Sequence, residues 1–550
     1  MSRNEYWAKP KIVREQAVLF SPTLDDVVSQ DHEVRLLDDV LRGLDWSAWE
    51  AHYPGGRGQP PIHPRRLAGI WLYGMMRRIR SSRPLEYVCG HNFDFIWLAE
   101  GLVPDHSTLS DFFTAFRTEL KSLFRQVCKI AVTMGMIRLG EVAFDATRIK
   151  ASNSRYRTYN AKTLEERLKQ VDAQIEQIMA DVQAAEAAAA TAGEVRAGEQ
   201  VTKLPSELAD VTARRAKLEE ALTIAKTLDE GRTAAGVDIV KNPAQLPMTD
   251  LDSRVMPNKE GGYAPNYTPT CLTDGQTGFI LDTTVLNVVN ETPETLPAID
   301  RATELCGETP ANFLGDSAMA TGPIMAGLEA REITGYLPTK SNEPGSDNPA
   351  NRPDPTVPVP EELWSKLPLN HQGQLDKSCF VYVPEQDEYV CPNGRTLSYT
   401  SRETRNDVVM SRYECSSCEG CPLVAMCLAR AKGTTPEQQA QANGRVRSIR
   451  RDEHEEVRQR MANRMASDAG KKQFNRRSAI AETPFGYLKG VLGLRQFRHR
   501  GLEKVDHEWR WSCLSLNMKK LLGALSRWKR LGELASTDEP PEQIIPGVIA

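Results

Sequence analysis

The stretch GEVAFDATRIKAS, residues 140–152, predicts a buried strand that ends at an acidic residue, Asp145. Apolar residues alternate with smaller ones before that aspartate, which is typical of a strand. A second stretch, ANFLGDSAM at 311–319, predicts a short strand that ends at Asp316. Between the two, residues 263–287 carry two strand patterns around a turn and predict a β-hairpin. This mixture of strand patterns with intervening helical patterns predicts an α/β domain.

The regions around these strands predict further units. Residues 1–135 have apolar residues at helical spacing and predict a helical N-terminal domain. Six arginines and no acidic residue lie between His63 and Arg83, so these helices are candidates for binding DNA, although a packing role explains them equally well. We assign 136–530 to the α/β domain, with interruptions at 160–232 and 340–440, and expect 531–550 to be a disordered tail.

The first interruption, 160–232, is rich in Ala, Glu, Lys and Leu with apolar residues at three- and four-residue steps. This pattern predicts an inserted antiparallel helical hairpin. The hairpin is either a plain spacer or a dimer contact through its apolar seam. The second interruption, 340–440, begins with a linker dense in Pro, Asn and Asp and continues into a cysteine-rich segment.

The bulk composition is that of a soluble globular protein, with 40% apolar and 26% charged residues in 550. The first residues lack the apolar core of a signal peptide, and no run of about 18 apolar residues occurs. We therefore expect a cytoplasmic protein without a membrane span. The net charge of -4 hides a basic stretch, because residues 471–530 hold fifteen Lys or Arg against four Asp or Glu. Local basic surface governs contact with phosphates more than the total charge does.

Three acidic residues are candidate metal ligands: Asp145 and Asp316 at strand ends, and Glu482 on a predicted helix. The spacing on that helix places Phe485 and Lys489 on the same face as Glu482. Carboxylates from separate elements can meet at strand ends and hold hard cations, with Mg²⁺ expected and Mn²⁺ an alternative. A pair of such ions suits phosphodiester chemistry. The alternative is that each acid is an ordinary turn, cap or solvated residue.

Three blocks carry a resemblance to the DDE insertion-sequence transposases of bacteria. The blocks are VAFDATRIKASNS at 142–154, NFLGDSAMATG at 312–322 and FNRRSAIAETPFGYLKGVLGLRQFRHRGLEKV at 474–505. The third is the most specific, because a basic residue, the glutamate, Phe-Gly and a lysine follow one another on one helix before an Arg-rich turn. The resemblance covers about residues 60–525 and implies an RNase H-like catalytic domain.

Carried over residue by residue, the resemblance implies that Asp145, Asp316 and Glu482 bind two Mg²⁺ ions and are catalytic. It further implies DNA contacts from the basic residues of the third block, which are Arg476, Arg477, Lys489, Arg495, Arg498 and Arg500. The sequence departs from the family at Phe474, where a tyrosine is common. The arginine spacing is also looser, so that either Arg476 or Arg477 can take the role of the basic residue before the glutamate.

The cysteine-rich segment predicts a structural metal site. Cys391 begins the sequence CPNG, and CSSCEGCPLVAMC follows at 415–427. This spacing suits tetrahedral zinc, with an iron–sulfur cluster or free thiols as alternatives. Five cysteines are available for four places. The longer transposases of this type have a similar pattern, which implies zinc ligands at Cys391, Cys418, Cys421 and Cys427, with Cys415 as a possible substitute.

The expected function is therefore transposition of an insertion sequence by DNA cleavage and strand transfer. A homodimer or larger assembly would bind double-stranded DNA, both terminal inverted repeats and target, close to the nucleoid. One alternative is a metal-dependent, structure-specific nuclease that does not join strands. Another is an inactive DNA-binding regulator derived from such an element.

Overall fold

The computed structural model describes most of the chain. The described residues are 23–53, 60–153, 156–191, 206–258, 261–340, 344–345, 347–405, 408–429, 441–442 and 444–535. The chain divides into two compact units, the first comprising 1–134, 487–494 and 507–550, and the second comprising 135–486 and 495–506. No helix in these described ranges is long and apolar enough to cross a membrane.

The first unit is helical, as the sequence predicts for the N-terminal region. Its helices are α1 (Glu33–Arg42), α2 (Ser47–Glu50), α3 (Pro64–Met76), α4 (Ser82–His91), α5 (Phe93–Leu98), α6 (His106–Ala115) and α7 (Arg117–Thr133). Asp105 accepts hydrogen bonds from the backbone N–H groups of Ser107 and Thr108 at 2.9 Å, which caps the first turn of α6.

Most of a long C-terminal helix also belongs to the first unit. We label it α16 (Leu502–Ala535), and a π-helix at Tyr487–Val491 lies in the same unit. The Trp511 ring lies 5.7 Å from Phe113 and 6.4 Å from Trp49, so the helix contributes to the aromatic core. We predicted that the α/β domain extends to residue 530, whereas the residues from 507 onward belong to the first unit. Periodicity shows that a helix has an apolar face, but it cannot reveal which distant helices that face covers. The predicted tail, 531–550, lies outside the described residues from 536 onward.

The second unit is built on a seven-stranded mixed sheet. Its strands are β1 (Val142–Ala146), β2 (Ile149–Lys150), β5 (Arg254–Pro257), β6 (Tyr263–Asp274), β7 (Ile280–Leu286), β8 (Asn312–Leu314) and β9 (Thr334–Tyr336). The order is β2-β6-β1-β8-β9, and β5 and β7 also pair with β6. Strand β6 is antiparallel to both β1 and β7, whereas β8 is parallel to β1 and β9 is parallel to β8. Strands β1, β7 and β8 therefore point the same way, and their carboxyl ends share one edge.

Helices complete this sheet. They are α10 (Thr295–Cys306), α11 (Gly322–Glu329), α13 (Glu455–Ala466), α14 (Asp468–Phe474) and α15 (Arg477–Gly486). Ile480 and Ala481 of α15 pack in one buried cluster with Ala143 of β1 and Leu314 of β8. Residues two apart on a strand share a face, so Asp145 projects from the same face of β1 as Ala143. Helix α15 is consequently held over the strand that carries this acid.

The inserted hairpin consists of α8 (Ala161–Thr191) and α9 (Ser206–Ala234), while β3 (Thr158–Tyr159) and β4 (Leu246–Pro247) pair at its base. The connector between the helices lies outside the described residues. Leu164 and Val171 of α8 share a buried cluster with Val211 and Leu218 of α9. Because the apolar seam is used between the two helices, the hairpin packs on itself, as the plain-hairpin interpretation requires.

A second, antiparallel sheet of five strands follows the linker. It contains β10 (Val381–Val383), β11 (Glu388–Val390), β12 (Thr396–Arg405), β13 (Val408–Cys415) and β14 (Ser448–Asp452), with the short helix α12 (Val424–Cys427) before β14. Cys391 follows β11, and Cys415 ends β13. The predicted limit of this insertion, residue 440, falls short of β14, because that strand's pairing with β13 is a long-range contact that local pattern does not show.

Candidate active site

Two of the three predicted acids meet at one edge of the seven-stranded sheet. Asp145 is the penultimate residue of β1, and Asp316 follows the end of β8 by two residues. Because these strands are parallel neighbours, their carboxyl ends lie side by side. A third acid, Glu291, joins them, and one ligand oxygen from each of the three lies within 4.8 Å of the others. This arrangement is the only metal-compatible group of at least three acid, histidine or cysteine side chains among the described residues.

The sequence interpretation missed Glu291. It lies in the loop between β7 and α10, five residues after Leu286, and therefore ends no strand itself. Strand β7 is parallel to β1 through their common antiparallel neighbour β6, so its carboxyl end opens onto the same edge. Once the strand order is known, Glu291 can be identified as an acidic residue within a few positions of the carboxyl end of β7.

Asp145 is almost completely buried, with 8% of its surface exposed. Its Oδ1 accepts a hydrogen bond from the backbone N–H of Ala146 at 2.8 Å. Its Oδ2 lies 3.5 Å from Nη2 of Arg477, whose side chain is 15% exposed. An arginine beside a buried carboxylate favours the charged form of the acid. The Asp145 carboxylate thus lies between a backbone N–H group and a guanidinium group.

Asp316 is half-buried, and its two carboxylate oxygens differ in their contacts. Its Oδ1 accepts hydrogen bonds from the backbone N–H groups of Ala318, at 2.9 Å, and Met319, at 3.3 Å, and so caps a short 3₁₀-helix. Its Oδ2 has no hydrogen bond to the residues that the structure describes. The cap therefore fixes the carboxylate in position and leaves one oxygen for a ligand.

Glu482 stands apart from these acids. It lies on α15 next to the buried Ala481 but is itself exposed, because successive helix residues point about 100° apart. It is not a member of the carboxylate cluster, and within the described chain it makes neither a hydrogen bond nor an ion pair. The structure brings Asp145 and Asp316 together and leaves Glu482 outside the group, so its catalytic role stays a prediction.

The adjacent arginines at the start of α15, Arg476 and Arg477, neutralise different carboxylates. Arg477 approaches Asp145, whereas Arg476 forms an ion pair with Glu141, which also accepts a hydrogen bond from Gln473 at 2.6 Å. Burial raises the pKa of Glu141, and Arg476 opposes that shift. The geometry thus favours Arg477 over Arg476 as the basic residue at the acid cluster.

The remaining predicted DNA contacts come from two segments. Arg495, Arg498 and Arg500 are exposed on a segment that runs beside 150–152, where the Phe497 N–H donates to the Lys150 carbonyl at 2.9 Å. The Arg500 guanidinium also donates to the Ser152 carbonyl at 2.9 Å. Lys489 is half-buried in the π-helix of the first unit. These positions leave the arginine charges at the surface of the second unit.

The five clustered cysteines line one cavity of about 20 Å³ at the second sheet. Backbone N–H groups donate to two of the sulfurs, from Arg395 to Cys391 at 3.3 Å and from Arg447 to Cys418 at 3.4 Å. Cys415 differs, because its thiol donates a hydrogen bond to the Ser417 carbonyl at 3.1 Å.

The cavity lies in a buried environment, and burial raises the pKa of the Cys427 thiol to about 12. The sulfurs are gathered more loosely than the ligands of a bound ion, since no three of the described thiols lie within 4.8 Å of one another. A metal would therefore have to draw the thiols together and displace their protons. The donor set, thiols with backbone N–H groups directed at the sulfurs, fits that requirement.

Comparison with known families finds two matches along the chain. Residues 390–522 match the transposase DDE domain, and residues 22–115 match a second transposase domain, DUF772. No curated protein and no solved structure matches the chain. The first match spans the cysteine cluster and Glu482, whereas Asp145 and Asp316 lie outside both matches.

Both matches are to domains of transposases. The two matches support the resemblance to the DDE-class insertion-sequence transposases that the sequence indicates. A transposase DDE domain implies an enzyme that acts on DNA and depends on a divalent metal. The acid cluster at the sheet edge is a possible place for that metal.

Proposed function

We propose that this transposase cleaves the ends of its insertion sequence and joins them to target DNA at the edge where Asp145 and Asp316 meet. The observation that carries the proposal is the convergence of these two carboxylates at parallel strand ends in a chain matched by the transposase DDE domain. We further propose that the second unit is an RNase H-like domain. Its mixed sheet with carboxylates at the carboxyl ends of β1 and β8 supports that assignment.

Asp145 and Asp316 would hold Mg²⁺, for which carboxylate oxygens are the preferred ligands, and Mn²⁺ would substitute. Two such ions, when bound, would activate the attacking hydroxyl and stabilise the leaving oxygen of an in-line displacement. The chain's own contribution is to fix the carboxylates before metal arrives. Asp316 is fixed by its cap bonds and Asp145 by its strand and by the Ala146 N–H.

Arg477 would bind a non-bridging phosphate oxygen next to the metal site. Its buried Nε has no hydrogen-bond partner among the described residues, so the guanidinium is not fully satisfied by them. Arginine offers several donors in a planar fork that suits phosphate. The exposed Arg495, Arg498 and Arg500 would extend the phosphate contacts, and binding should weaken steeply as salt is added.

Glu482 would supply a third carboxylate from α15. The helix is anchored over β1 by Ile480 and Ala481, and the Glu482 carboxylate is exposed and unpaired within the described chain. We propose that it engages when DNA and metal are both bound.

The test is a cleavage and joining assay. Its labelled DNA substrates carry the sequences that flank the gene for this protein on either side. We expect Mg²⁺-dependent cleavage and strand-transfer products from the wild type and neither from Asp145→Asn or Glu482→Gln. Glu456→Gln is the matched control, since Glu456 is another helix glutamate, 76% exposed, on α13. Wild-type cleavage by Glu482→Gln would remove Glu482 from the mechanism.

The same assay separates the other candidate functions. A structure-specific nuclease would release cleaved ends without joined products. A DNA-binding regulator would bind the flanks with no cleavage at any metal concentration. Binding of terminal inverted repeats by a homodimer or larger assembly would give discrete shifted complexes on the flanking DNA and none on an unrelated fragment of equal length.

We also propose that Cys391, Cys418, Cys421 and Cys427 hold a structural zinc ion. Backbone N–H groups directed at sulfur stabilise thiolate character, and two of these four sulfurs receive one. The donor role of the Cys415 thiol favours leaving that residue out. Zinc bound there would tie the loops after β11 and β13 to α12, adding to the buried core of this sheet and to the hydrogen bonds from Arg395 to the Ser417 and Glu419 carbonyls.

A further inference from the structure

We propose that Glu291 is a further ligand of the divalent cation at the sheet edge, so that Asp145, Glu291 and Asp316 form a cation site in the protein free of DNA. The inference rests on the proposed function, because it concerns the same metal. It adds a residue that lies outside both matched domains and that no strand-end pattern in the sequence predicts.

The first support is the distance between candidate ligand atoms. One oxygen each from Asp145, Glu291 and Asp316 lies within 4.8 Å of the others. Oxygens that coordinate a common Mg²⁺ at about 2.1 Å lie roughly 3–4 Å apart, so only small side-chain movements would close the site. The Glu291 carboxylate forms no hydrogen bond or ion pair with the residues that the structure describes, so nothing has to be broken.

The second support is that the loop is attached on both sides of Glu291. Arg148, three residues after Asp145, donates from Nη2 to the Val289 carbonyl at 2.6 Å. On the other side, the Thr292 hydroxyl donates to the Ala318 carbonyl at 3.4 Å, two residues after Asp316. The loop is therefore fastened to the two segments that carry the other acids, and Glu291 lies between the attachments.

Nearby acids show what an ordinary structural role looks like in this region. Glu294 and Asp282 both pair with Arg301 and are neutralised by it. Among the described residues Glu291 forms no such ion pair, although its charge partly offsets the lowering of the Arg148 pKa that burial causes. Three carboxylates beside two arginines, Arg148 and Arg477, leave a local charge of about -1, which a divalent cation would reverse.

The test is a titration of the full-length protein with Mn²⁺ in the absence of DNA. Electron paramagnetic resonance measures the Mn²⁺ that remains free. We expect Glu291→Gln to weaken binding at least tenfold, and Glu294→Gln, the neighbouring paired acid, to bind as the wild type does. Glu291→Asp keeps the charge but shortens the reach, so intermediate binding is expected from it. Thermal unfolding in EDTA checks that each variant is folded, and if Glu291→Gln is not, the Glu291→Asp result decides.

The outcomes separate this inference from the function on which it rests. Wild-type Mn²⁺ affinity in Glu291→Gln, together with weakened binding in Asp145→Asn, would overturn the role of Glu291 alone. Unchanged affinity in both Asp145→Asn and Asp316→Asn would overturn the metal site itself. Equal weakening by Glu291→Gln and Glu294→Gln would mean that general loss of negative charge, and not coordination, explains the effect.

Discussion

Replacing Arg477 with glutamine should lower stability without metal and yet raise affinity for a divalent cation. Arg477 Nη2 lies 3.5 Å from Asp145 Oδ2, and both side chains are largely buried. At that separation the attraction is about 5 kcal/mol at an effective dielectric constant of about 20, and about 1 kcal/mol in water. Breaking a buried pair by removing one partner typically costs about 3–5 kcal/mol, because the other charge is left uncompensated.

The same guanidinium repels any cation that binds Asp145, so its removal should favour the metal. The ion-pair attraction lies between about 1 and about 5 kcal/mol. If the repulsion between Arg477 and the cation is near the lower end, about 1.4 kcal/mol, its removal makes Mn²⁺ binding roughly tenfold tighter. The assay is thermal unfolding of Arg477→Gln in EDTA and in increasing Mn²⁺, together with a binding titration. In EDTA the melting temperature should fall by several degrees, and Mn²⁺ should restore it. DNA cleavage should still be lost, because the phosphate contact is missing.

Arg476→Gln is the matched control, since Arg476 pairs with the buried Glu141, which is not part of the acid cluster. It should also lower the melting temperature in EDTA, but Mn²⁺ should not restore it and Mn²⁺ affinity should not change. The reasoning would be refuted if Arg477→Gln bound Mn²⁺ no more tightly than the wild type, or if both variants were rescued alike.

Three further predictions concern packing, zinc and pH. Ile480→Ala, at a site 6% exposed, should cost about 2–4 kcal/mol in urea unfolding, whereas the exposed Ser478→Ala should cost under about 0.5 kcal/mol; equal stabilities would contradict the packing of α15. Cys418→Ser should abolish bound zinc in elemental analysis and Cys415→Ser should retain it; retention in both would argue against the assignment. Burial raises the pKa of Asp250, so the folded protein holds a proton that the unfolded chain has released, and stability should fall as pH rises from about 4 through that raised value. Asp250→Asn should lack this pH-dependent loss of stability when denaturation is measured across pH. If the stability of Asp250→Asn followed the wild-type pH profile, the contribution of Asp250 would be contradicted.

Much of the second unit follows from local pattern. The hairpin predicted within 263–287 corresponds to β6 and β7, and the two predicted acidic strand ends are at β1 and β8. Alternation and turn residues reveal such elements because strand geometry repeats every two residues. The helix that carries Glu482 is likewise present, and its apolar positions at Ile480 and Ala481 pack on the sheet.

Other features depended on contacts between distant segments. The choice between Arg476 and Arg477 rests on which carboxylate each one reaches, and their spacing in sequence is uninformative because they are adjacent. The distinction between Cys415 and Cys418 rests on the direction of hydrogen bonds to sulfur. Both distinctions depend on segments that are close in space and not on the residue's own stretch of sequence.

The sequence by itself determined the family, the mixed α/β character and the positions of Asp145 and Asp316, because each depends on residues that are close along the chain. Only the tertiary structure decided that Glu291 joins those two acids and that Glu482 lies outside their cluster. The physical reason is strand pairing. Whether carboxyl ends share an edge depends on parallel and antiparallel neighbours more than a hundred residues apart, as β1 and β6 are, and no local periodicity encodes that pairing.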